Sequence, residues 1–209
     1  MTDAAAPDTG LAPLPKGRHH LSREQVEQSQ RLRLAVAMAE ALAERGYAGT
    51  PVAAVLDLAG VSRQTFYELH RSKLDCFLDT LDLVGAVLVE ELTAALAIAG
   101  GPPVDRATAA VDRYLETIAG NLAFARLFIV EVHAAGPPAL LRRAELQARV
   151  VDALADLLAA TTADDRFACE LYVAAVSALV TLPVATGDAD GVRALRDPLI
   201  AQLRRTAGR

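Results

Sequence analysis

Residues 46–73 limit the possible folds of this chain more than any other segment. They hold two short stretches with an apolar face, separated by Gly60, and a hydroxyl residue precedes each stretch, Thr50 the first and Ser62 the second. Hydroxyl side chains cap helix starts, and glycine readily adopts the left-handed backbone of a tight turn. The pattern predicts two short helices joined by a glycine turn and followed by a long helix, which is the arrangement of a helix-turn-helix.

The composition predicts an all-α protein. Of the 209 residues, 53% are hydrophobic but only 4% are aromatic, so the core consists mainly of Ala, Leu and Val. Ala and Leu are strong helix formers. The longest uncharged run, residues 171–187, is interrupted by Pro183 and is interpreted as a buried bundle helix rather than a membrane span.

Capping residues, glycines and prolines mark the expected helix boundaries. Residues 22–25 have the form of a capping box, and Gly46 is expected to end the first helix. We expect Thr50 to cap the second helix, Ser62 the third and Ser72 the fourth. After a glycine- and proline-rich break, further helices are predicted near residues 104–119, 121–134, 138–160, 162–185 and 191–206.

These boundaries divide the chain into three parts. Residues 1–17 are rich in Ala, Pro and Gly and are predicted to form a disordered tail. Residues 18–71 contain the helix-turn-helix and form the head. Residues 72–209 form a second helical domain, in which residues 72–98 make a long linking helix.

The distribution of charge favours DNA as the partner of the head. The whole chain has a net charge of −5, yet residues 11–73 hold nine Lys and Arg against six Asp and Glu. The basic excess therefore lies on the segment that carries the helix-turn-helix. Two cysteines far apart, Cys76 and Cys169, and no recognisable signal peptide favour a cytoplasmic location.

The same residues resemble the TetR/AcrR family of one-component transcriptional regulators. The family's helix-turn-helix usually reads Gly-Tyr, Thr-Thr/Pro-Val, Ala-Gly-Val-Ser, Thr-Phe-Tyr and Ser-Lys. At matching spacing this chain has Gly46-Tyr47, Thr50-Pro51-Val52, Ala59-Gly60-Val61-Ser62, Thr65-Phe66-Tyr67 and Ser72-Lys73. The resemblance covers residues 31–78. Five positions depart from the usual pattern: Ala54, Leu56, Gln64, His70 and Leu74. Of these, Gln64 and His70 indicate an operator preference of the chain's own.

The resemblance implies a fold and a function. The fold is all-α, with an N-terminal three-helix DNA-binding head and a C-terminal helical domain for ligand binding and dimerisation. The function is that of a sequence-specific transcriptional regulator, by default a repressor that a small-molecule effector releases from a palindromic operator. The chain would act as a homodimer, because one helix-turn-helix makes too small an interface for operator affinity.

The DNA-contacting residues are expected on and around the third helix. Arg63 and Gln64 lie in its first turn and are expected to read guanine and adenine. Tyr67 and Lys73 are expected at phosphates, and Thr50 and Ser62 at phosphates in addition to capping. Thr65 is assigned either to DNA or to a bond within its own helix, and His70 either to phosphate or to packing. Residues 16–20, with Lys16, Arg18, His19 and His20, are a candidate minor-groove arm.

The effector site is expected among aromatic and polar residues inside otherwise aliphatic helices. The candidates are Tyr114, Phe128, Glu131, His133, Phe167 and Tyr172. Residues 171–180 are apolar on every side, which indicates burial all round. The resemblance implies that the last two helices of each subunit pair into a four-helix dimer interface, and the alternative is the central core helix of a monomer.

The alternatives to regulation are weaker. Glu131 and His133 are the only close carboxylate–imidazole pair in the sequence, and two residues apart on a helix they point in different directions. The sequence contains no phosphate-binding glycine loop and no nucleophile signature, so we predict neither an enzyme nor a cofactor nor a metal site. The remaining alternative is a helical small-molecule-binding or interaction protein whose head no longer binds DNA.

Overall fold

The computed structural model describes residues 22–98 and 101–207, except for the side chains of residues 98, 206 and 207. The described residues are helical and include no strand. In chain order the helices are α1 (Arg23–Gly49), α2 (Val52–Ala59), α3 (Arg63–Leu69), α4 (Lys73–Ile98), α5 (Pro103–Gly120), α6 (Leu122–Arg126), a π-helical segment (Leu127–Glu131), α7 (Val132–Ala135), α8 (Pro137–Leu157), α9 (Ala163–Leu179), α10 (Thr181–Thr186), α11 (Ala189–Ala194) and α12 (Arg196–Ala207). The predicted tail and basic arm lie outside the described residues.

Helix α1 begins at the predicted capping box and bends near its end. The Ser22 hydroxyl accepts a hydrogen bond from the Gln25 N–H at 3.1 Å, and the Gln25 side chain accepts one from the Ser22 N–H at 2.8 Å. Gly46 has a φ of 67°, a left-handed conformation that favours glycine, and three more residues follow before α1 ends. The expected stop at Gly46 is therefore a kink within α1.

Helices α2 and α3 meet at a tight turn on Gly60. Its φ is 59°, and a Cβ atom at this position would lie only 2.6 Å from Arg33 Nη2 of α1. Arg33 Nη2 in turn donates to the Gly60 carbonyl oxygen at 3.1 Å, which ties the turn to α1. Phe66 of α3 is fully buried in the same hydrophobic core as Leu34 and Met38 of α1. The turn therefore holds α3 in place on α1 and leaves its other face outward.

The start of α2 differs from the prediction. Pro51 is the residue before α2, and no side chain caps this end. The Thr50 hydroxyl instead donates to the carbonyl oxygens of Ala41 at 3.1 Å and Gly46 at 2.8 Å. Thr50 closes the end of α1 because the kink at Gly46 brings these two carbonyls within its reach. At α4 the prediction is confirmed, since the Ser72 hydroxyl accepts from the Asp75 N–H at 3.1 Å.

The C-terminal domain is a helical bundle built around α4, α5, α8 and α9. The predicted helices are present, but three of them are interrupted. A π-helical segment divides the helix predicted near 121–134, a break at Val180 separates α9 from α10, and a break at Leu195 separates α11 from α12. Pro198 follows that last break, in the first turn of α12, where its missing N–H disturbs no hydrogen bond.

One stretch of the described chain, Ala163–Thr186, has the length and apolar composition of a membrane-spanning helix. The bent pair Pro103–Gly120 and Leu122–Ala135 meets the same test only when the two helices are counted together. Core helices of soluble proteins also meet this test, so it is weak support for a span. Only 28% of the apolar window within 163–186 is buried in the single chain, which leaves much of its surface available to another partner.

Candidate DNA-reading surface and effector cavity

The outer face of α3 presents polar side chains to solvent. Arg63 and Gln64 are exposed, and Tyr67 is 51% exposed, while Phe66 between them is fully buried. The Gln64 amide donates to the Glu68 carboxylate at 3.0 Å. A base edge that pairs with Gln64 must therefore displace this bond, and Glu68 places a negative charge on the same face.

Ser62 and Thr65 form the N-terminal cap of α3. The Ser62 hydroxyl accepts from the Thr65 N–H at 3.0 Å, and the two hydroxyl oxygens lie 2.9 Å apart. Ser62 is exposed and Thr65 is half-buried. The predicted cap is confirmed, and the Ser62 hydroxyl remains accessible beside the first turn of α3.

Thr50 is placed differently from the prediction, whereas His70 takes one of its two expected roles. Thr50 is fully buried, and its hydroxyl is engaged with two carbonyls, so its side chain does not reach the surface that a phosphate would approach. His70 is 3% exposed and packs against the Phe66 ring with centroids 5.5 Å apart. For His70 the structure favours packing, which was one of its two expected roles.

Lys73 fastens α4 to the end of α1. Its ammonium group donates to the carbonyl oxygens of Tyr47 at 2.7 Å and Thr50 at 3.0 Å, and it lies 4.2 Å from the centre of the Tyr47 ring. Partial burial lowers the pKa of the Lys73 ammonium. The residue expected at a phosphate is therefore also the contact through which α4 holds the head.

Glu131 is a second fastening between the two domains. One oxygen of its buried carboxylate accepts from the Tyr47 backbone N–H at 2.7 Å, and the other accepts from Arg126 Nε at 3.0 Å. Arg126 also donates to the Ala185 carbonyl oxygen at 3.0 Å. A carboxylate at the end of the π-helical segment thus binds the N–H that follows the Gly46 kink.

An apolar cavity lies between α4, α5, α8 and α9. Its volume is about 100 Å³, and its lining is almost entirely apolar. Three of the predicted effector residues, Tyr114, Phe128 and Tyr172, line it. The other three are elsewhere: Glu131 bonds to the head, and His133 and Phe167 are exposed. Burial raises the pKa of both Tyr114 and Tyr172 to about 12, so each phenol stays protonated near neutral pH.

A second cavity of about 300 Å³ adjoins the first. It lies between α4, α5 and α6 and is bordered by Leu32 of α1. Leu88 and Phe128 line both cavities and form the partition between them. Phe128 belongs to the π-helical segment that ends at Glu131.

Arg143 of α8 is a functional candidate that the sequence did not reveal. It lies beside the first cavity, with its guanidinium carbon 5.7 Å from the centre of the Phe128 ring, and it donates a hydrogen bond to Ser177. In the sequence Arg143 follows Arg142 in an amphipathic helix, so no local signal separates the half-buried arginine from its exposed neighbour. Arg33 and the head contact of Glu131 were missed for the same reason, since both join residues distant in sequence.

The described residues contain no group of three or more His, Cys, Asp or Glu that could hold a metal ion. Burial raises the pKa of the Cys76 thiol to about 12, which leaves little thiolate near neutral pH. Burial also raises the pKa of Cys169. The two thiols therefore behave as small apolar core groups.

Comparison with known proteins agrees with this geometry. Residues 34–80 match the family described as bacterial regulatory proteins, tetR family. A search of curated proteins gives no significant match. Among solved structures, the chain is similar to the fatty acid degradation regulator FadR from Bacillus halodurans, with a TM-score of 0.73 and 18% identity over 83% of this chain and 94% of that chain.

Two further structures have the same fold. FadR from Bacillus subtilis in complex with stearoyl-CoA has a TM-score of 0.69 and 15% identity, over 82% of this chain and 96% of that chain. A TetR family transcription regulator from Marinobacter aquaeolei has a TM-score of 0.66 and 17% identity, over 88% and 97%.

The helix-turn-helix with its outward-facing α3, attached to a helical bundle, defines a DNA-binding transcriptional regulator. Residues 34–80 are thus similar to the DNA-binding segment of the tetR family of bacterial regulatory proteins, and the chain has the fold of TetR-family structures. Members of this family are regulators and not enzymes, and they bind DNA and small-molecule effectors.

Proposed function

We propose that this protein is a dimeric repressor, and that an apolar effector bound in the C-terminal domain releases it from a palindromic operator. One observation carries the proposal: an exposed recognition helix is connected through α4 and Glu131 to a domain that encloses apolar cavities. A ligand changes DNA affinity only if it prefers one arrangement of the two heads over another.

DNA contact is assigned to the exposed face of α3. Arg63 and Gln64 lie in the first turn, the part of a recognition helix that reaches base edges. Phosphate oxygens are assigned to the exposed side chains of Ser62 and Tyr67. Lys73 is a further candidate, since its ammonium group has three N–H donors and two of them bind the carbonyl oxygens of Tyr47 and Thr50. Thr65 is half-buried, and its hydroxyl is hydrogen-bonded to the Ser62 hydroxyl that caps α3, so we assign it to the cap rather than to DNA.

The dimer is assigned to the exposed face of α9 and α10. Leu171 is 55% exposed and Leu182 is 71% exposed, and both lie on the same apolar stretch as Phe167 and Leu179. An isolated chain would leave these large side chains in water, whereas a second copy would bury them. A two-fold axis at this face would present two α3 helices to one side of the duplex.

The structure offers a short route from the cavity to the head. Phe128 forms part of the cavity wall, and three residues further along the same π-helical segment Glu131 binds the Tyr47 N–H. π-Helical segments hold one extra residue per turn and often occur at functional sites. A ligand that displaces Phe128 would move Glu131, and with it the contact that positions the head.

The nature of the effector follows from the cavity lining. Apolar walls favour a hydrocarbon group. The structural neighbour from Bacillus subtilis is described in complex with stearoyl-CoA, a molecule with a long hydrocarbon chain, which supports an apolar effector for this protein as well.

Selection of bound fragments from genomic DNA tests the DNA-binding part of the proposal. We expect enrichment of an inverted repeat with half-sites about one helical turn apart, and a binding constant that falls with salt concentration. A protein with a degenerate head would enrich no sequence and show no such salt dependence, and that result would remove the proposal in favour of a small-molecule-binding protein.

Size-exclusion chromatography with light scattering tests the dimer. The double variant Leu171→Glu with Leu182→Glu is expected to elute as a monomer and to lose operator binding. Leu141→Glu is the matched control, because Leu141 is 67% exposed but lies on α8. If the double variant stays dimeric, the interface lies elsewhere.

A further inference from the structure

Arg143 is a half-buried cation beside an apolar cavity. Its Nε–H group is buried and has no hydrogen-bond partner in the described structure, while its Nη2 group donates to the Ser177 hydroxyl. Its guanidinium carbon lies 5.7 Å from the centre of the Phe128 ring. The guanidinium therefore contacts a neutral hydroxyl and an aromatic ring, and its Nε–H donor is unused within the described structure.

No negative charge balances this guanidinium. Within the described part of the chain Arg143 forms no salt bridge, and the only ionisable group that acts on it is the Tyr114 phenol. Its neighbour Arg142 is different, because its Nε lies 3.1 Å from an Asp82 carboxylate oxygen. A charge buried without a counter-ion is costly, and proteins usually pair it.

The groups around Arg143 also form the cavity wall. Tyr114, Phe128 and Ser177 line the first cavity, and Leu88 and Phe128 separate it from the second. A hydrocarbon in these cavities would meet apolar walls along its length. A negatively charged head group at its end would meet the Arg143 guanidinium and its free Nε–H donor.

We propose that the effector is an aliphatic carboxylic acid, with its carboxylate on Arg143 and its hydrocarbon chain in the first cavity and past Phe128 toward the second. This inference rests on the proposed effector cavity and specifies what that cavity binds. The pairing supplies the missing counter-ion, since guanidinium–carboxylate contacts are strong and charge-assisted. The first cavity, at about 100 Å³, is too small for the whole hydrocarbon chain, because an apolar cavity of about 150 Å³ accepts only a ligand the size of benzene. The hydrocarbon chain must therefore extend past Phe128.

Isothermal titration calorimetry on the full chain without DNA tests the assignment, with octanoate and 1-octanol as probes. The two probes have the same chain length and differ in charge. The wild-type protein is expected to bind octanoate at least about tenfold more tightly than 1-octanol, the ratio that one charge-assisted hydrogen bond provides.

Three variants test whether Arg143 is responsible for tighter binding of octanoate than of 1-octanol. Arg143→Met keeps the length of the side chain without its charge, and should bind the two probes about equally. Arg143→Lys keeps the charge without the planar fork, and should retain part of the preference. Arg149→Met, an exposed arginine on the same helix, should behave as the wild type. Circular dichroism and thermal unfolding check that each variant is folded.

The outcomes separate this inference from the proposed function. Equal binding of both probes by the wild type, no binding of either, or an unchanged preference in Arg143→Met would overturn the carboxylate site, and the repressor proposal would stand on its DNA tests. A preference that depends on Arg143 supports the site even if octanoate fails to release the operator, in which case only the release mechanism falls. Binding of an octanoyl thioester as tightly as octanoate would show that the carboxylate is not recognised.

Discussion

The head and the C-terminal domain use the same helical building blocks with different packing. In the head, Leu34, Met38 and Phe66 are fully buried, and the hydroxyls of Ser22, Thr50 and Ser62 form hydrogen bonds at helix ends. The C-terminal domain instead leaves two adjoining apolar cavities and a half-buried guanidinium, that of Arg143, which has no counter-ion among the described residues. The head is built to hold α3 in one position, and the second domain keeps unfilled space and unpaired charge where a ligand can be accommodated.

Two contacts from the C-terminal domain hold the head at one residue. Lys73 and Glu131 bind the backbone of the same residue, Tyr47, one through its carbonyl oxygen and the other through its N–H. Both come from segments that border the cavities, α4 and the π-helical segment. In the function proposed above, a change in the cavity would reach the head through these two contacts.

The largest effect is expected from breaking the Glu131 contact. Glu131→Ala removes the acceptor of the Tyr47 N–H and leaves Arg126 without its carboxylate partner, so the free energy of unfolding should fall by about 3 kcal/mol. Chemical denaturation measures this loss. Glu145→Ala is the control, because Glu145 is exposed and pairs with Arg142 at 3.5 Å, so its loss should cost less than about 1 kcal/mol. If the two variants lower the free energy of unfolding equally, Glu131 does not join the head to the C-terminal domain.

The next effect concerns the exposed face of the head. Arg63→Ala should weaken binding to the selected operator by about 2 kcal/mol and reduce discrimination at one base pair, while binding to unrelated DNA changes little. Mobility-shift titrations with the operator and its single-base variants measure both. Arg149→Ala, in the C-terminal domain, should leave both unchanged. A uniform loss on every sequence would assign Arg63 to phosphate instead.

His70 tests how tightly the head is packed. Its two ring nitrogens are buried and have no hydrogen-bond partner, although Nδ1 lies 3.2 Å from an Asp79 oxygen. The Asp79 carboxylate is shared with Arg31 at 2.8 Å, and burial lowers the pKa of His70 despite the nearby Asp79 and Asp75. His70→Phe should therefore raise the free energy of unfolding by about 1 kcal/mol at neutral pH.

The same residue predicts a pH dependence. Because the folded state holds the pKa of His70 below that of the unfolded chain, the unfolded state binds the proton more readily, and stability falls as pH drops below about 6.5. Denaturation at pH 7.5 and 5.5 should show a loss in the wild type that is smaller in His70→Phe. His133→Gln, at an exposed histidine, should retain the full loss. If His70→Phe loses as much stability as the wild type between pH 7.5 and 5.5, His70 is not the source of the pH dependence.

The smallest effect is expected in the cavity. A Cβ atom on Gly85 of α4 would overlap the side chain of Leu146, which lines the first cavity. Gly85→Ala should push Leu146 into that space and weaken octanoate binding about threefold in calorimetry. Gly120→Ala is the control, because no atom lies within 4 Å of the added methyl group. Unchanged binding in Gly85→Ala would place the ligand outside this cavity.

Local chemistry was enough to predict most of the head. The capping box at Ser22, the turn at Gly60 and the cap at Ser62 involve residues within a few positions of one another, so their roles follow from spacing. Thr50 departs from its expected role because the kink at Gly46 folds the chain back on itself. Of the six effector candidates, Tyr114, Phe128 and Tyr172 line the cavity, whereas the pattern that singled out His133 and Phe167 does not record which face of a helix is covered.

The amino-acid sequence by itself determined that this chain is helical, where most helices begin and end, and that its N-terminal part is a helix-turn-helix with Arg63, Gln64 and Tyr67 facing outward. These properties depend on propensities and capping between near neighbours. Only the tertiary structure decided that Glu131 binds Tyr47 across 84 positions of the chain, that Phe128 lies between two cavities, and that Arg143 is half-buried while Arg142 is exposed. Burial and charge balance arise where distant helices meet, and no local pattern encodes that meeting.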